Sequence, residues 1–357
     1  NIPSPYRIDF FNALGKYVDL TVIFEAKKAR GLTFNYNLDQ IQNFKIIFLS
    51  DGHMDEKKVD LKILPYLRRG VYDKIIVTNY GFATEAAGIF ALKIKKIPYE
   101  MELDGGVLRR ENPLIHRLKR MLVRGATRYW STGEQTDAFF RHFGIPDERI
   151  VRYPFTSVPE RNVVSHVPTR EEKQALRKKL DIPYANMVLG VGQMIYRKGF
   201  DLLIQVADRM PASTGIYIVG GEPPEAWLKF VEERNLRNVH FVAFKGEAQL
   251  NEYYRAADVF VLPTREDIWG LVVNEAMANA LPVVTTDACG AGVEMIRDGE
   301  NGFLIPSDSS ELLAERILRL LSDDTLRERI AVATLETAKR YTIEEMARVH
   351  VDLLNKD

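Results

Sequence analysis

The sequence predicts an α/β protein made of two doubly wound domains, and three observations carry that prediction. Short β-branched or aromatic runs alternate with helical patterns throughout both halves of the chain, which is the pattern of βαβ units on a mostly parallel sheet. At 357 residues the chain is long enough to bury two separate cores. Between the two alternating halves lies RYPFTSVPERNVVSHVPTREE, with three prolines and few core residues, the composition of a connector. The expected domains are therefore 1–158 and 159–338, with 339–357 forming a terminal helix that packs back on the first domain.

In the first domain the strand candidates are DLTVIFEA, FKIIFLS, YDKIIVTN, IPYEMEL and ATRYWST. In the second they are NMVLGVGQ, GIYIVGG, VHFVAF, DVFVLPT and PVVTTD, separated by helical stretches such as GFDLLIQVADRM, AQLNEYYRAA and LVVNEAMANA. The tail LRERIAVATLETAKRYTIEEMARVHVDLL has the i, i+3, i+4 spacing of amphipathic helices. The chain opens with NIPSPYR, which reads as a loop where such a domain would begin with a strand, so a first strand is expected to be missing. No internal repeat or low-complexity tract is visible.

Composition excludes several classes of function. With 46% hydrophobic and 27% charged residues the chain is globular and not disordered. Its one cysteine, Cys289, can form neither an internal disulfide nor a cysteine metal cluster, which suits a reducing cytosol. No apolar run approaches the roughly 18 residues of a spanning helix, and no signal peptide is recognisable. The net charge of zero conceals an asymmetry. Residues 1–155 hold 25 Lys and Arg against 18 Asp and Glu, whereas the remainder hold 24 against 31. There is no G-x-x-x-x-G-K-[ST] loop, no pair of aspartates one residue apart and no His pair at i, i+4. Neither a metal nor a nucleic-acid partner is expected.

Two such sheets would bind ligands at the carboxyl ends of their strands, and three motifs fall there. In REDIWGLVVNEAMANALPVV a loop leads from the strand DVFVLPT into a helix beginning near Gly270 or Leu271. The first amides, at Gly270, Leu271 and Val272, form an anion site. Asp267 in the loop and Glu275 one turn into the helix flank that site, able to accept hydrogen bonds from the hydroxyls of a sugar nucleotide. The alternative is that Asn274, Glu275 and Asn279 are the solvated arc of the helix. In NMVLGVGQMIYRKGFDLLIQ a strand runs into Gly190 and Gly192, and Arg197 and Lys198 precede a helix opened by Gly199 or Phe200, a setting suited to phosphate. Ile195 stands where a dinucleotide fingerprint has its third glycine, so an exposed turn is the competing account. In DACGAGVEMIRDGENGFLIP a glycine-rich turn follows a strand and Glu294 opens a helix, while Asp298, Gly299, Asn301 and Gly302 read as hairpin chemistry.

Taken together, these residues resemble the retaining glycosyltransferases of family 4, which have the GT-B fold of two facing Rossmann-like domains with a crevice between them. The resemblance spans essentially the whole chain and is strongest over residues 187–306, where the acidic pair matches the family's E-x7-E signature. It implies that Glu275 binds the ribose of a nucleotide-diphosphate sugar. It also implies that Asp267, Ile268, Trp269 and Gly270 hold the donor sugar. Aspartate stands at 267 where the family has glutamate, with Glu266 as a substitute. Gln193, next to Gly192, stands where the family has arginine, so Arg197 is expected to supply that charge beside Lys198. The base would be read around Phe244 and Lys245. In the first half, Pro5, Tyr6 and Arg7 are the acceptor candidates. Asp104, in ELDGG, stands near the donor sugar where the family often has histidine; a turn-forming Asp-Gly-Gly is the other account.

The implied reaction moves a sugar, with retention, from a nucleotide-diphosphate sugar to a saccharide or lipid-linked saccharide, in bacterial surface polysaccharide or glycolipid synthesis. Asp104, Arg197, Lys198 and Asp267 are the catalytic candidates, and no cofactor is implied. Charge on the leaving diphosphate would be met by Arg197, Lys198 and fixed amides. A sugar-nucleotide epimerase or a non-catalytic sugar-nucleotide-binding module is the alternative. Residues 108–130, LRRENPLIHRLKRMLVRGATRYW, set Arg109, Arg110, Arg117, Lys119, Arg120, Arg124 and Arg128 against the single acid Glu111. With Leu114, Ile115, Leu118, Met121 and Leu122 at helical spacing, they predict an interfacial helix on an anionic membrane. A cytoplasmic enzyme, peripheral on the inner face of the membrane, is the expectation.

Overall fold

A computed structural model describes residues 2–28, 38–109 and 111–356. Arg110, one of the seven cations of the 108–130 segment, lies outside the described residues. The chain divides into two compact units, Asn1–Ser157 with Thr342–Asp357, and Val158–Tyr341.

The first unit opens with α1 (Pro5–Leu14), whose proline at the first helical turn removes no needed donor. Strands β1 (Thr21–Lys28) and β2 (Lys45–His53) pair in parallel as a two-stranded sheet. A second, four-stranded parallel sheet follows. It consists of β3 (Ile76–Val77), β4 (Glu100–Glu102), β5 (Tyr129–Ser131) and β6 (Ile150–Arg152), in that order, with α2 (Ala83–Ile94), α3 (Pro113–Val123) and α4 (Glu134–His142) as crossovers. Strand β6 is absent from the reading of the sequence. It is only three residues long and ends where the proline-rich stretch that reads as connector begins. Its register is imposed by pairing with β5, Trp130 against Val151. The core beneath this sheet joins Ile89 and Leu92 of α2 to Met101, Tyr129 and Phe140.

The second unit begins with α5 (Arg170–Lys179), closed by a capping box between Thr169 and Glu172. In chain order there follow β7 (Asn186–Val191), α6 (Phe200–Gln205), β8 (Thr214–Val219), α7 (Glu225–Glu233), β9 (Val239–Val242) and α8 (Glu247–Ala256). Then come β10 (Val259–Leu262), α9 (Leu271–Ala278), β11 (Val283–Thr286), α10 (Gly290–Met295), β12 (Phe303–Ile305), α11 (Ser310–Ser322) and α12 (Asp324–Ala338). All six strands are parallel, in the order β12-β11-β10-β7-β8-β9. This is a doubly wound sheet whose strand order reverses between β7 and β10. Strands β8, β10 and β11 are buried at every residue. Helices cover both faces of a parallel sheet, which is why these strands read as continuous apolar runs without alternation.

Two local expectations change. Residues 298–302 do not make a hairpin: Gly299 N–H donates to the Gly302 carbonyl at 2.8 Å, and the chain enters β12, which pairs in parallel with β11. Asn301 is buried and donates to Met295 O and Thr337 Oγ1, tying this turn to α12. Helix α10 opens at Gly290, so Glu294 lies in its last turn, not its first.

The last helix, α13 (Ile343–Leu354), belongs to the first unit and packs on α1. Its His350 stacks on Trp130 at 4.7 Å between ring centroids and meets Phe10 and Tyr153 edge-on. Arg128 donates to the carbonyls of Leu353 and Lys356, satisfying the open end of the helix. Among the described residues no helix is long and apolar enough to cross a membrane.

Gly199, where the loop after β7 meets α6, has φ +71°, and a Cβ there would fall 1.8 Å from the Pro263 carbonyl oxygen. Both the left-handed backbone and the contact require glycine. Gly199→Ala should therefore lose about 2 kcal/mol or more of stability, measured by urea unfolding. Unchanged stability would show that the two loops do not approach so closely.

Candidate functional site

The strand order reverses between β7 and β10, and the loops that follow these two strands meet at the carboxyl edge of the second unit's sheet, the position where ligands of such sheets bind. The β7 loop contains Gly192 at φ +147° and a helical turn over Tyr196–Lys198. The β10 loop runs from Pro263 to Gly270. Between them, the Lys198 ammonium forms a short ion pair with Asp267 Oδ2, both side chains largely buried. Arg197 Nη1 donates to the Glu266 carbonyl at 2.6 Å and lies 3.9 Å from Asp267 Oδ1. Thr264 Oγ1 donates to the Arg197 carbonyl at 2.9 Å. An ammonium has three donors, and Asp267 occupies one of those on Lys198.

A residue that sequence reasoning missed holds these loops together. Arg265 forks onto Asp201 of α6 at 2.7 and 2.8 Å, reaches Asp308 at 2.6 Å and donates to the Tyr196 carbonyl at 2.7 Å. Its guanidinium also lies 3.9 Å from the centroid of the Tyr196 ring. These are bidentate and stacked contacts that lysine cannot reproduce. Arg265 stands beside the acidic pair in sequence, but its partners are 64 and 43 residues away, so no local signal marks it.

The same loop is anchored to α10. Asp267 N–H donates to the Ala288 carbonyl at 2.9 Å, Gly290 N–H to the Asp267 carbonyl at 3.1 Å, and Ala291 N–H to the Trp269 carbonyl at 2.7 Å. Gly270 takes φ +95° because a Cβ would meet Cys289 Sγ at 2.7 Å. Cys289 donates to Trp269 O at 3.1 Å; its thiol is pushed up to about 12 by burial and by Asp267, so it is a packing group and not a nucleophile. Trp269 is buried, its indole N–H bonded to Asn274 Oδ1 at 2.8 Å. Helix α9 then begins at Leu271. The solvated-arc alternative for this helix fails, because Asn274 is 1% and Asn279 3% exposed. Glu275 is half-buried and accepts from the Tyr254 hydroxyl at 2.8 Å. Burial and then Glu275 hold that hydroxyl well above its ordinary pKa, so it remains a donor that orients the carboxylate. Tyr254 is a second residue that sequence reasoning missed.

Gln193 and Phe244 are exposed, and Phe244 and Lys245 follow the edge strand β9. Ile268 is exposed and Glu266 half-buried. The structure thus gathers Arg197, Lys198, Glu266, Asp267, Trp269 and Gly270 around the reversal point, with Leu271, Val272 and Glu275 on the helix behind. Phe244 and Lys245 are set apart, two strands away from β7. Among the described residues no group of three or more His, Cys, Asp or Glu could hold a metal ion.

The remaining candidates belong to the first unit. Pro5 is exposed, Tyr6 half-buried and Arg7 buried. Arg7 does not extend toward solvent as an acceptor ligand would. It donates to Glu102 Oε1 at 3.2 Å and pairs closely with Asp104, the two acids at the carboxyl end of β4. Tyr153 OH lies 3.4 Å from both carboxylates, and His350 Nε2 lies 3.5 Å from Glu102 Oε2. Burial pushes the Glu102 carboxyl up, but His350 and Arg7 outweigh it and bring it to about 2. Burial dominates at Asp104, which is raised despite Arg7. One buried cation therefore serves two unlike acids. His350 and Arg7 hold Glu102 as the anion, whereas burial opposes charge on Asp104.

Two expected outcomes follow from this geometry. Arg265→Lys, which keeps the charge but loses the fork, should displace the Arg197–Lys198 turn and weaken binding of an anionic probe such as pyrophosphate by roughly tenfold, read by calorimetry; unchanged binding would make Arg265 a surface brace only. Glu102, lowered from its ordinary 4.5 to about 2, contributes stability that is fully present above the unfolded value and is lost as pH falls through the folded one. Its contribution is on the order of 3 kcal/mol. Unfolding free energy measured between pH 7 and pH 2 should fall less steeply in Glu102→Gln than in the parent chain, and parallel curves would contradict the assignment.

Residues 172–336 match the model of the family described as glycosyl transferases group 1. The lipopolysaccharide glucosyltransferase WaaG of Escherichia coli K12 is 31% identical over 217 residues, covering 59% of this chain and 56% of that enzyme. The N,N'-diacetylbacillosaminyl-diphospho-undecaprenol alpha-1,3-N-acetylgalactosaminyltransferase of Campylobacter jejuni is 24% identical over 294 residues, covering 78% of this chain and 77% of that one. Most of the curated relatives are matched over about half of their length. Among solved structures, Anabaena HepE in complex with UDP superposes with a TM-score of 0.78 at 18% identity, covering 99% of this chain and 97% of that chain. The crystal structure of WaaG gives 0.62 at 20% identity, with 94% and 100% covered. The fold is accordingly GT-B, and within it residues 172–336 are similar to the glycosyl transferases group 1 family.

Proposed function

We propose that the chain is a retaining glycosyltransferase of family 4 that uses a nucleotide-diphosphate sugar as donor and a saccharide or lipid-linked saccharide as acceptor, in bacterial surface polysaccharide or glycolipid synthesis. The observation that carries the reading is the pairing of opposite functions at one strand-order reversal. Two cations, Arg197 and Lys198, meet the Asp267 loop at one end of α9, and an oriented acid, Glu275, lies on the same helix. Relatives that transfer sugars to lipopolysaccharide or to an undecaprenyl diphosphate carrier, and a structural neighbour that binds UDP, support the same substrate classes.

In this reading the donor diphosphate takes the two free donors of Lys198, the Arg197 guanidinium and the first amides of α9. Glu275 accepts from ribose, and Asp267 and Glu266 from the donor sugar. Breaking the glycosyl phosphate bond builds charge on the leaving diphosphate, which these fixed donors stabilise without reorganising. The acceptor hydroxyl gives its proton to the departing phosphate. No carboxylate pair is needed as acid and nucleophile, in contrast to glycosidases, and no metal or other cofactor is required. Arg7 acts by holding Asp104 and not by touching the acceptor, which leaves Pro5 and Tyr6 as the acceptor contacts of α1.

The enzyme works in the cytoplasm, docked on the inner face of the membrane through residues 108–130. Supporting this, Leu114, Ile115, Leu118 and Met121 are exposed along one stripe of α3, beside exposed Arg117 and Arg120. Two cations leave the account. Arg128 caps α13, and Lys119 is paired with Glu111. Leu122 is buried. Each remaining cation contributes about 1 kcal/mol near an anionic leaflet before screening.

The test is incubation with labelled UDP-sugars and a lipid-linked saccharide in excess chelator. Transfer should proceed, and Glu275→Ala should weaken donor binding by roughly tenfold through loss of a charged hydrogen bond. Epimerisation, or binding without turnover, would replace this reading. Unchanged donor affinity in Glu275→Ala would remove the ribose assignment, and activity lost to chelator and restored by magnesium would overturn the leaving-group argument.

A further inference from the structure

We propose that a cavity at the amino-terminal edge of β4, β5 and β6 binds the phosphate monoester of an anionic lipid headgroup. The proposal rests on the reading of α3 as an interfacial helix and assigns that helix a specific lipid contact. The cavity, of about 620 Å³, is lined by Lys93, Arg124, Tyr129, Ile145, Pro146 and Arg149 among others. Lys93 closes α2 ahead of β4, Arg124 follows α3 ahead of β5, and Arg149 directly precedes β6. The cavity therefore lies at the opposite end of these strands from Asp104 and takes no part in the site already described.

Three cations line it and no carboxylate does. The acids nearest in sequence are accounted for. Asp147 is held by Arg141 at 2.6 Å, and Glu148 is exposed and outside the lining. Lys93 donates to the carbonyls of Met121 and Leu122, so its charge compensates the carbonyl end of α3, equivalent to about half a negative charge. Burial pulls that ammonium below its ordinary pKa, as expected of a cation with no anion beside it. Tyr129 is saturated: its hydroxyl donates to Val123 O and accepts from the amides of Gly125 and Ala126. Burial raises its pKa, so it forms a neutral floor.

Arg124 and Arg149 remain, both exposed at the rim, and no described carboxylate pairs with either. Two uncompensated guanidinium groups match the two charges of a phosphate monoester, and their planar forks suit its oxygens. The helix supplies the reason for a lipid source. The exposed stripe Leu114, Ile115, Leu118, Met121 ends at the cavity wall, where Met121 is itself the carbonyl partner of Lys93 and Arg124 is the next residue beyond the helix. A stripe lying among acyl chains would bring the two arginines to headgroup depth.

The test uses the full chain with phosphatidylcholine vesicles containing either phosphatidic acid, a monoester, or phosphatidylglycerol, a diester, at matched surface charge. The parent chain should partition more strongly to phosphatidic acid. Arg124→Gln with Arg149→Gln should abolish that preference, lowering binding to phosphatidic acid roughly tenfold or more while largely keeping binding to phosphatidylglycerol. Arg117→Gln with Arg120→Gln, on the helix face, should instead lower both alike. Inorganic phosphate serves as the soluble probe. If it binds the cavity in an Arg124- and Arg149-dependent way and no lipid preference exists, a soluble phosphate is the ligand and the lipid assignment is overturned. An undiminished preference in the Arg124, Arg149 variant would overturn the cavity. Absence of binding to any anionic vesicle would instead remove the membrane reading itself.

Discussion

The short ladder between β7 and β10 is the constraint on which the rest of the second unit depends. Only Val259 with Val188 and Phe260 with Leu189 pair across it, yet it is where the order of the sheet reverses. Strands on one side continue through β8 and β9, and those on the other through β11 and β12. The loops after β7 and β10 are thereby freed from crossing over each other, and their backbones come close enough that only glycine fits at 199. Charged side chains that neither loop could hold alone are then clamped between them.

That clamp is electrostatic and largely dry. Lys198 and Asp267 are each mostly removed from water, a costly arrangement unless further hydrogen bonds satisfy both charges. Arg197 Nη1 stands 3.9 Å from Asp267 Oδ1, and the loops that carry the pair are held by Arg197 on the Glu266 carbonyl, Arg265 on Asp201 and Asp308, and the backbone of α10. The result is a pair of cations fixed at the carboxyl edge of the sheet. In the first unit Arg7 does comparable work between Glu102 and Asp104. Burial raises both carboxyls there, but His350 and Arg7 together draw Glu102 below its ordinary range, whereas Asp104 stays raised.

The basic surface of the first unit divides by geometry in a way that counting charges does not reveal. Of the cations between 108 and 130, Arg128 closes a helix and Lys119 pairs with Glu111, whereas Arg117 and Arg120 face solvent beside an apolar stripe. Arg124 turns toward a cavity shared with residues from two other crossovers. A cation on a sequence is one charge; in a fold it is a cap, a counter-ion or an open site according to which carbonyl or carboxylate arrives first.

The sequence by itself determined the fold class and the residue types that the two main loops carry. Continuous apolar runs identify strands buried on both faces, and the GVG turn, the Arg197–Lys198 pair and the acidic pair at 267 and 275 stand in local patterns that secondary structure alone makes meaningful. Strand β6 was hidden because three residues beside prolines carry no periodicity of their own, and the 298–302 turn misled because turn residues also precede a parallel edge strand. Only tertiary structure decided that Asn274 and Asn279 are buried, that Arg265 and Tyr254 orient the site, and that Arg7 is a buried counter-ion. The physical reason is common to all of them. Periodicity reports which face of an element is apolar, but the partner of a polar group is set by chain segments tens of residues away, 64 for Arg265 and Asp201, 95 for Arg7 and Glu102.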